Sequence, residues 1–183
     1  ASHYGDQEPE GRAEHFNYRP QRCIGAEEVM ADLLAPVGVW GAVRPNDAHL
    51  ADMKRAAAIA AAIGHYDVGQ GVVVCDGLAL AVEAQEGTDA MVRRVSELPL
   101  TVRGSPDARR GVLVKRPKPI QERRIDLPTI GVRTIKGAAA AGLAGVAVEA
   151  GGALAVRRAE LVAAADSAGL FVYGFTRAEV GEH

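Results

Sequence analysis

The stretch at residues 71–92 constrains the fold of this chain more than any other. It reads G-V-V-V-C-D-G-L-A-L-A-V-E-A-Q-E-G-T-D-A-M-V. Two apolar runs flank Asp76-Gly77, and Asp-Gly between strand-forming runs indicates a tight β-hairpin, because such a turn needs positive φ angles. The stretch therefore predicts a hairpin in the core of a sheet. Cys75, inside the first run, is expected to act as a small buried hydrophobe.

Polar residues follow this predicted hairpin. In order they are Glu83, Gln85, Glu86, Gly87, Thr88 and Asp89. We expect Thr88 to cap a helix that begins with Asp89 and continues through Met91, Val92 and Val95. Carboxylates at a strand end and a helix start are well placed to hold a divalent cation or a sugar hydroxyl. The alternative is that Asp89 only complements the helix N-terminus, while the other acids are solvated.

A second informative stretch, residues 115–131, reads K-R-P-K-P-I-Q-E-R-R-I-D-L-P-T-I-G. Its prolines predict an extended, rigid loop. A single aspartate, Asp126, follows five cations: Lys115, Arg116, Lys118, Arg123 and Arg124. This combination suits phosphate chemistry, in which the cations hold the phosphate while Asp126 binds metal or orients water. The alternative, a solvated basic loop with a turn-capping aspartate, stays open on the residues alone.

The order of the remaining elements predicts the fold class. A helix begins at Asn46-Asp47 and ends at Gly64, a strand covers residues 111–115, and a helix covers 134–141. Residues 146–149 and 154–156 flank Gly151-Gly152 as a second hairpin, followed by a helix at 158–168 and a strand at 170–174. We predict a three-layer α/β/α sandwich with a mixed sheet containing two hairpins. Hairpin, helix and strand thus occur twice, which leaves both an internal duplication and coincidence open.

Composition divides the chain into four parts. Residues 1–24 are polar and lack a sustained period, so we expect them to be poorly ordered. Residues 25–45 are linker-like, with glycine and proline punctuation, yet Trp40 suggests that they lie against the body. Residues 46–175 form the predicted α/β domain of catalytic type, and residues 176–183 form a tail.

Several function classes are disfavoured by composition and motifs. The net charge is −2, and the cations of residues 115–131 alternate with prolines, so no nucleic-acid partner is expected. No apolar run reaches the roughly 18 residues that span a bilayer, and we expect a soluble cytoplasmic chain. The chain has two cysteines, too few for a disulfide framework, and its five histidines lack zinc-ligand spacing. Phosphate-binding glycine motifs and a serine nucleophile elbow are missing from the sequence.

At these stretches the sequence closely resembles a known family. The runs A-V-E-A-Q-E-G-T-D-A-M-V-R-R, K-R-P-K-P-I-Q-E-R-R-I-D-L-P-T-I-G, A-G-L-A-G-V-A-V-E-A-G and A-G-L-F-V-Y-G are similar to the C-terminal domain of LpxI-type UDP-2,3-diacylglucosamine pyrophosphatases. The similarity extends, in the same order, over about residues 25–175. It implies a three-layer α/β/α domain, in agreement with the element order.

The resemblance implies a Gram-negative enzyme of lipid A biosynthesis that acts at the inner membrane. Such enzymes use water and a divalent cation such as Mg²⁺ to cleave UDP-2,3-diacylglucosamine into UMP and 2,3-diacylglucosamine 1-phosphate, which is called lipid X. The essential aspartate of D-L-P-T-I-G corresponds to Asp126, which we expect to be catalytic and, with Asp89, to bind metal. The remaining matched positions predict substrate contacts: Gln85, Glu86, Gly87, Thr88, Asp89, Lys118, Gln121 and Thr129.

The sequence also departs from this family. Members carry an N-terminal α/β domain, and their substrate lies between the two domains, whereas residues 1–24 do not follow that pattern. Two functions therefore remain open for the chain by itself: a metal-dependent pyrophosphatase, or a lipid-sugar-binding domain that is inactive without the other half. A relative with no ligand is the third alternative. The sequence leaves a homodimer open.

Overall fold

The computed structural model describes residues 26–119 and 127–182. Its helices are α1 (Ala26–Leu33), α2 (Asp47–His65), α3 (Thr88–Ser96), α4 (Val132–Ala140) and α5 (Arg158–Ala168). Its strands are β1 (Gly38–Val39), β2 (Gly71–Cys75), β3 (Leu78–Val82), β4 (Val112–Lys115), β5 (Thr129–Ile130), β6 (Gly145–Glu149), β7 (Leu154–Ala155) and β8 (Phe171–Phe175). A short 3₁₀ turn, Ala178–Val180, follows β8.

Six strands form one mixed sheet in the order β1-β8-β6-β4-β2-β3. The central strands β4, β6 and β8 are parallel, while β2 is antiparallel to both β4 and β3. The central parallel strands are almost wholly apolar, because helices cover both faces. Because β4, β6 and β8 are parallel, their carboxyl ends meet at one end of the sheet, the carboxyl edge.

The core lies in two layers on opposite faces of this sheet. Along β2 and β4 the side chains alternate, so that Val73 and Leu113 pack with α3, α4 and α5. Their neighbours Val72 and Val114, which pair with each other, pack with α2 on the other face. Helices on both faces give the three-layer α/β/α arrangement that the sequence predicted.

The predicted first hairpin is confirmed. Asp76 and Gly77 form the turn between β2 and β3 with φ angles of 49° and 79°, both in the left-handed region. Cys75, at the end of β2, is fully buried, and this burial, together with the nearby Asp76 carboxylate, raises the pKa of its thiol to about 11. The thiol is therefore a packed apolar group, as expected, rather than a nucleophile.

The predicted second hairpin is wrong. Strand β6 lies between β4 and β8 and pairs in parallel with both, so its backbone groups are already used on both sides. Residues 154–155 instead form β7, which pairs with β5 in a separate two-stranded sheet through Thr129 and Leu154. The order of hairpin, helix and strand thus occurs once in the described structure, and no repeated topology supports a duplication.

The segments that flank the predicted domain contribute to the fold. Within residues 25–45, β1 pairs with β8 at the sheet edge, and the Trp40 indole N–H donates to the Pro36 carbonyl at 2.9 Å. After β8, Glu179 accepts hydrogen bonds from the backbone N–H of Thr176 and from the Tyr173 hydroxyl, both at 2.6 Å.

No helix of residues 26–119 and 127–182 is both long and apolar enough to cross a bilayer.

Candidate functional site

A cleft of about 290 Å³ opens at the carboxyl edge of the sheet, on the face covered by α3 and α4. Seven residues line it: Glu86, Gly87, Thr88, Asp89, Lys115, Thr129 and Thr134. The chain reaches this point because β3 runs antiparallel to β2, so that the polar residues after β3 arrive beside the last residue of β4. The structure thus brings together two stretches that the sequence analysis had singled out separately.

Two helices begin at this cleft. Gly87, with φ of 81°, is the N-cap of α3, and Gly131 is the N-cap of α4. Neither glycine has a side chain that could occupy the first-turn N–H groups of its helix. Thr88 and Thr134, from the two first turns, both line the cleft. Helix N-termini carry partial positive charge and donate hydrogen bonds, so their convergence favours an anion.

Lys115 supplies a full positive charge to the same cleft. It is the last residue of β4, and it is only 7% exposed. Its Nζ donates to the carbonyl oxygen of Thr129 at 3.2 Å, which connects the end of β4 to β5. A buried ammonium is costly unless it meets acceptors, and phosphate oxygens are strong acceptors for it.

The acidic residues of the cleft form ion pairs at its rim. Asp89 accepts a hydrogen bond from Arg133 at 2.7 Å, and both side chains are mostly exposed. Glu86 pairs with Arg94 and also accepts the backbone N–H of Ala84 at 3.1 Å. Hydrogen bonds, first with its own backbone and then with Arg94, hold the pKa of Glu86 below its usual value. Both carboxylates are thus paired with arginines in the described structure.

Thr88 does not cap α3, which corrects the prediction. It is the first residue of the helix, and Gly87 occupies the N-cap position. The hydroxyl of Thr88 donates to Glu83 Oε2 at 3.2 Å, so the side chain is tied to the end of the hairpin. The helix itself agrees with the prediction, since Met91, Val92 and Val95 are buried.

Of the eight predicted substrate-contact residues, five line the cleft, two do not, and one lies outside the described residues. Gln85 is exposed and is not among the lining residues. Lys118 forms an ion pair with Asp67 at 2.7 Å instead of lining the cleft. Gln121 and the predicted catalytic residue Asp126 lie outside the described residues, so both remain predictions.

Two lining residues were not among the predicted sites. Lys115 had been considered only as one of several loop cations, and its position as the last residue of a buried strand could have distinguished it. Thr134 was missed because the helix was predicted to begin there. In the structure α4 begins at Val132, and the pattern G-V-R-T marks a glycine N-cap followed by Thr134, whose hydroxyl accepts the Gly131 N–H at 3.3 Å.

The donor chemistry of the cleft is compatible with a hard divalent cation. Across residues 26–119 and 127–182, no group of three or more His, Cys, Asp or Glu side chains converges. Mg²⁺, however, is commonly held by one or two carboxylates together with substrate phosphates and water, rather than by a complete protein cage. Asp89 supplies one carboxylate at the cleft once a cation takes the place of Arg133 beside it, so the described residues fit such a cation in the presence of a phosphate ligand.

The fold and the cleft together define a class: an α/β domain whose buried lysine and two helix N-termini favour a phosphorylated ligand at the carboxyl edge of the sheet. Residues 36–173 match the family model described as the LpxI C-terminal domain. The chain belongs to this family. It is also similar to the UDP-2,3-diacylglucosamine pyrophosphatase LpxI of Caulobacter vibrioides, at 59% identity over 150 residues, 82% of this chain. The chain spans about half of that relative, 54% of its length.

Proposed function

We propose that this chain carries the catalytic half of a UDP-2,3-diacylglucosamine pyrophosphatase and binds the pyrophosphate of that substrate in the cleft at the carboxyl edge. The observation that carries the proposal is the convergence of the Gly87-Thr88-Asp89 turn, Lys115 and Thr129 at one cleft. All three belong to the stretches that resemble the family. Support also comes from the identity to the Caulobacter enzyme.

The described residues suit the charge of a pyrophosphate. The Lys115 ammonium and the first turns of α3 and α4 would neutralise and hydrogen-bond the phosphate oxygens. Thr88 and Thr134 add hydroxyl groups to the same walls. Because these groups are held by strand and helix ends, they need little reorganisation when charge develops on the phosphate during the reaction.

The hydrolytic step requires a water oxygen to bond to the phosphorus on the sugar side while the bridging oxygen leaves with UMP. Asp126, whose role rests on the resemblance, would orient this water or bind the cation. Mg²⁺, when bound, would offset negative charge on the phosphate oxygens. Asp89, freed from Arg133, would hold it from the rim of the cleft. The products are UMP and lipid X, and the lipid substrate would bring the protein to the cytoplasmic face of the inner membrane.

A second candidate is a lipid-sugar-binding domain without hydrolytic activity of its own. The observation in its favour is that the chain spans 54% of the length of the Caulobacter enzyme. This candidate uses the same cleft and the same phosphate contacts. It differs only in lacking turnover when no further domain is present.

Incubation of the purified chain with UDP-2,3-diacylglucosamine and Mg²⁺, followed by ³¹P NMR, separates the two candidates. We expect signals of UMP and lipid X with the parent chain and none with Asp126→Ala. Asp107→Ala, which removes an exposed carboxylate before β4, serves as the matched control and should retain the parent rate. Binding of lipid X without release of UMP would favour the binding domain, while neither binding nor release would overturn both.

A further inference from the structure

The residue after Lys115 lies in a second buried site, on the opposite face of the sheet. Arg116 is 6% exposed and lines a cavity of about 150 Å³ with Pro117, Pro119, Glu149 and Glu182, among others. Successive side chains at a strand end point to opposite faces. Lys115 and Arg116 therefore connect the cleft beside α3 and α4 to a cavity beside α2.

Arg116 is held by three separate parts of the fold. Its Nη1 donates to the carbonyl oxygen of Ala57 in α2 at 3.1 Å. Its Nη2 lies 2.8 Å from Glu149 Oε2, at the end of β6. Its two terminal nitrogens also donate to the two carboxylate oxygens of Glu182, a bidentate contact at 2.6 and 2.8 Å. This fork geometry is specific to a guanidinium, and a lysine at the same position could not reproduce it.

The same cluster fixes the backbone that leaves β4. The Arg116 N–H donates to the carbonyl oxygen of Gln70, which continues the pairing between β4 and β2 beyond Lys115. Pro117 is buried against Gly152, where an added Cβ would lie 3.0 Å from the proline ring. The two residues directly after Lys115 are therefore held in place, Arg116 by Gln70 and Pro117 by Gly152.

We propose that Arg116 is a positioning residue for the reaction: its ion cluster with Glu149 and Glu182 holds the end of β4 so that the Lys115 ammonium stays at the phosphate position in the cleft. A buried ion cluster can often be replaced as a whole by apolar residues without loss of stability, although removal of one partner is costly. We assign this cluster the role of holding the end of β4 beside a charged ligand. The inference rests on the proposed function, since it assumes that Lys115 contacts phosphate.

A double-mutant cycle with inorganic pyrophosphate tests this inference without requiring turnover. Binding to the chain is followed by shifts of the amide NMR signals of Thr88, Asp89 and Val132 in the presence of Mg²⁺. Lys115→Met and Arg116→Lys should each weaken binding by about tenfold or more, because small displacements of a positioned group are costly. The double variant should bind no more weakly than Lys115→Met, since Arg116 acts through Lys115.

Arg110→Lys is the matched control. Arg110 precedes the other end of β4, pairs with Asp76 at 2.5 Å and donates to the carbonyl oxygen of Arg103 at 2.7 Å. The Arg110→Lys variant should leave pyrophosphate binding unchanged even where it lowers the melting temperature. Parent-like binding by Arg116→Lys, or additive losses in the double variant, would overturn the positioning role. No shift with the parent chain would instead overturn the proposed pyrophosphate site.

Discussion

Asp52 Oδ1 accepts a hydrogen bond from the backbone N–H of Gly77 at 2.8 Å. The second oxygen of Asp52 accepts the N–H of Asp76 at 2.9 Å. The carboxylate is only 4% exposed, and it joins the second turn of α2 to the turn of the β2–β3 hairpin. A helix on one face of the sheet thereby fixes the position of the hairpin whose far end delivers the cleft residues.

Removal of this carboxylate should destabilise the domain. Asp52→Ala leaves two turn N–H groups without their charged acceptor, and we expect the free energy of unfolding to fall by about 2–3 kcal/mol. Urea denaturation followed by circular dichroism measures the loss. Asp47→Ala, at the exposed start of the same helix, should cost less than about 1 kcal/mol. Equal losses in the two variants would show that the Asp52 contact contributes little.

The turn itself allows a cleaner test of backbone conformation. Gly77 has φ of 79°, and an added Cβ would meet no atom within 4 Å, so Gly77→Ala tests the left-handed conformation without a steric clash. We expect a loss of about 1–2 kcal/mol in the free energy of unfolding. Gly131→Ala, equally uncrowded but in ordinary extended backbone, should change stability by much less. A similar loss in both variants would contradict this account.

Local signals predicted much of this fold. Asp76-Gly77 identified the first hairpin because the turn chemistry is decided within two residues. Asn46 identified the start of α2, where its side chain accepts the His49 N–H at 2.9 Å. The prediction of a second hairpin was wrong because Gly151-Gly152 allows a turn but does not decide which strand pairs with β6. That choice is set by β4 and β8, which are distant in sequence.

The candidate site was predicted only in part, for the same reason. The Gly87-Thr88-Asp89 turn was identified from its polar residues, but its neighbour Lys115 comes from a different strand and looked like one cation of a basic loop. The turn and Lys115 become neighbours only in the sheet, where Gly71 pairs with Lys115 and its carbonyl oxygen accepts the N–H of Glu83. Lys118 looked equivalent to Lys115 in sequence, yet it is three residues beyond the sheet and pairs with Asp67.

His49 should make the stability of the domain depend on pH. Its Nδ1 accepts the backbone N–H of Asn46 at 3.2 Å, and its ring stacks on Phe171. Burial lowers the pKa of His49, although Asp52 and Asp76 oppose this effect. The folded state thus favours the neutral ring, so its contribution is complete above the unfolded pKa of about 6.5 and is lost as pH falls through the lowered folded value.

Melting temperatures of the parent chain and His49→Gln between pH 8 and pH 5 test this dependence. The parent should lose more stability than the variant over this range, because glutamine takes up no proton. His65→Gln, at the exposed end of α2, is the matched control and should follow the parent. Parallel curves for the parent and His49→Gln would exclude His49 as the source.

Glu182 provides a last test, at the segment that follows β8. Hydrogen bonding from Arg116 is the main cause that holds the pKa of Glu182 below its usual value. Its stabilising contribution is therefore present above the unfolded carboxyl pKa of about 4.3 and is lost as pH falls through the lower folded value. Glu182→Gln should cost about 2 kcal/mol at pH 7, because Arg116 loses a charged partner of its buried guanidinium.

The matched control is Glu160→Gln, which breaks an exposed ion pair with Arg157 at 3.4 Å and should cost less than about 0.5 kcal/mol. Denaturation in urea at pH 7 and pH 3 distinguishes the two. The difference between Glu182→Gln and the parent should shrink at pH 3, because this pH lies below the unfolded carboxyl pKa of about 4.3, where the stabilising contribution is being lost. A difference that stays constant across this range would indicate that the carboxylate charge is not what stabilises the segment against Arg116.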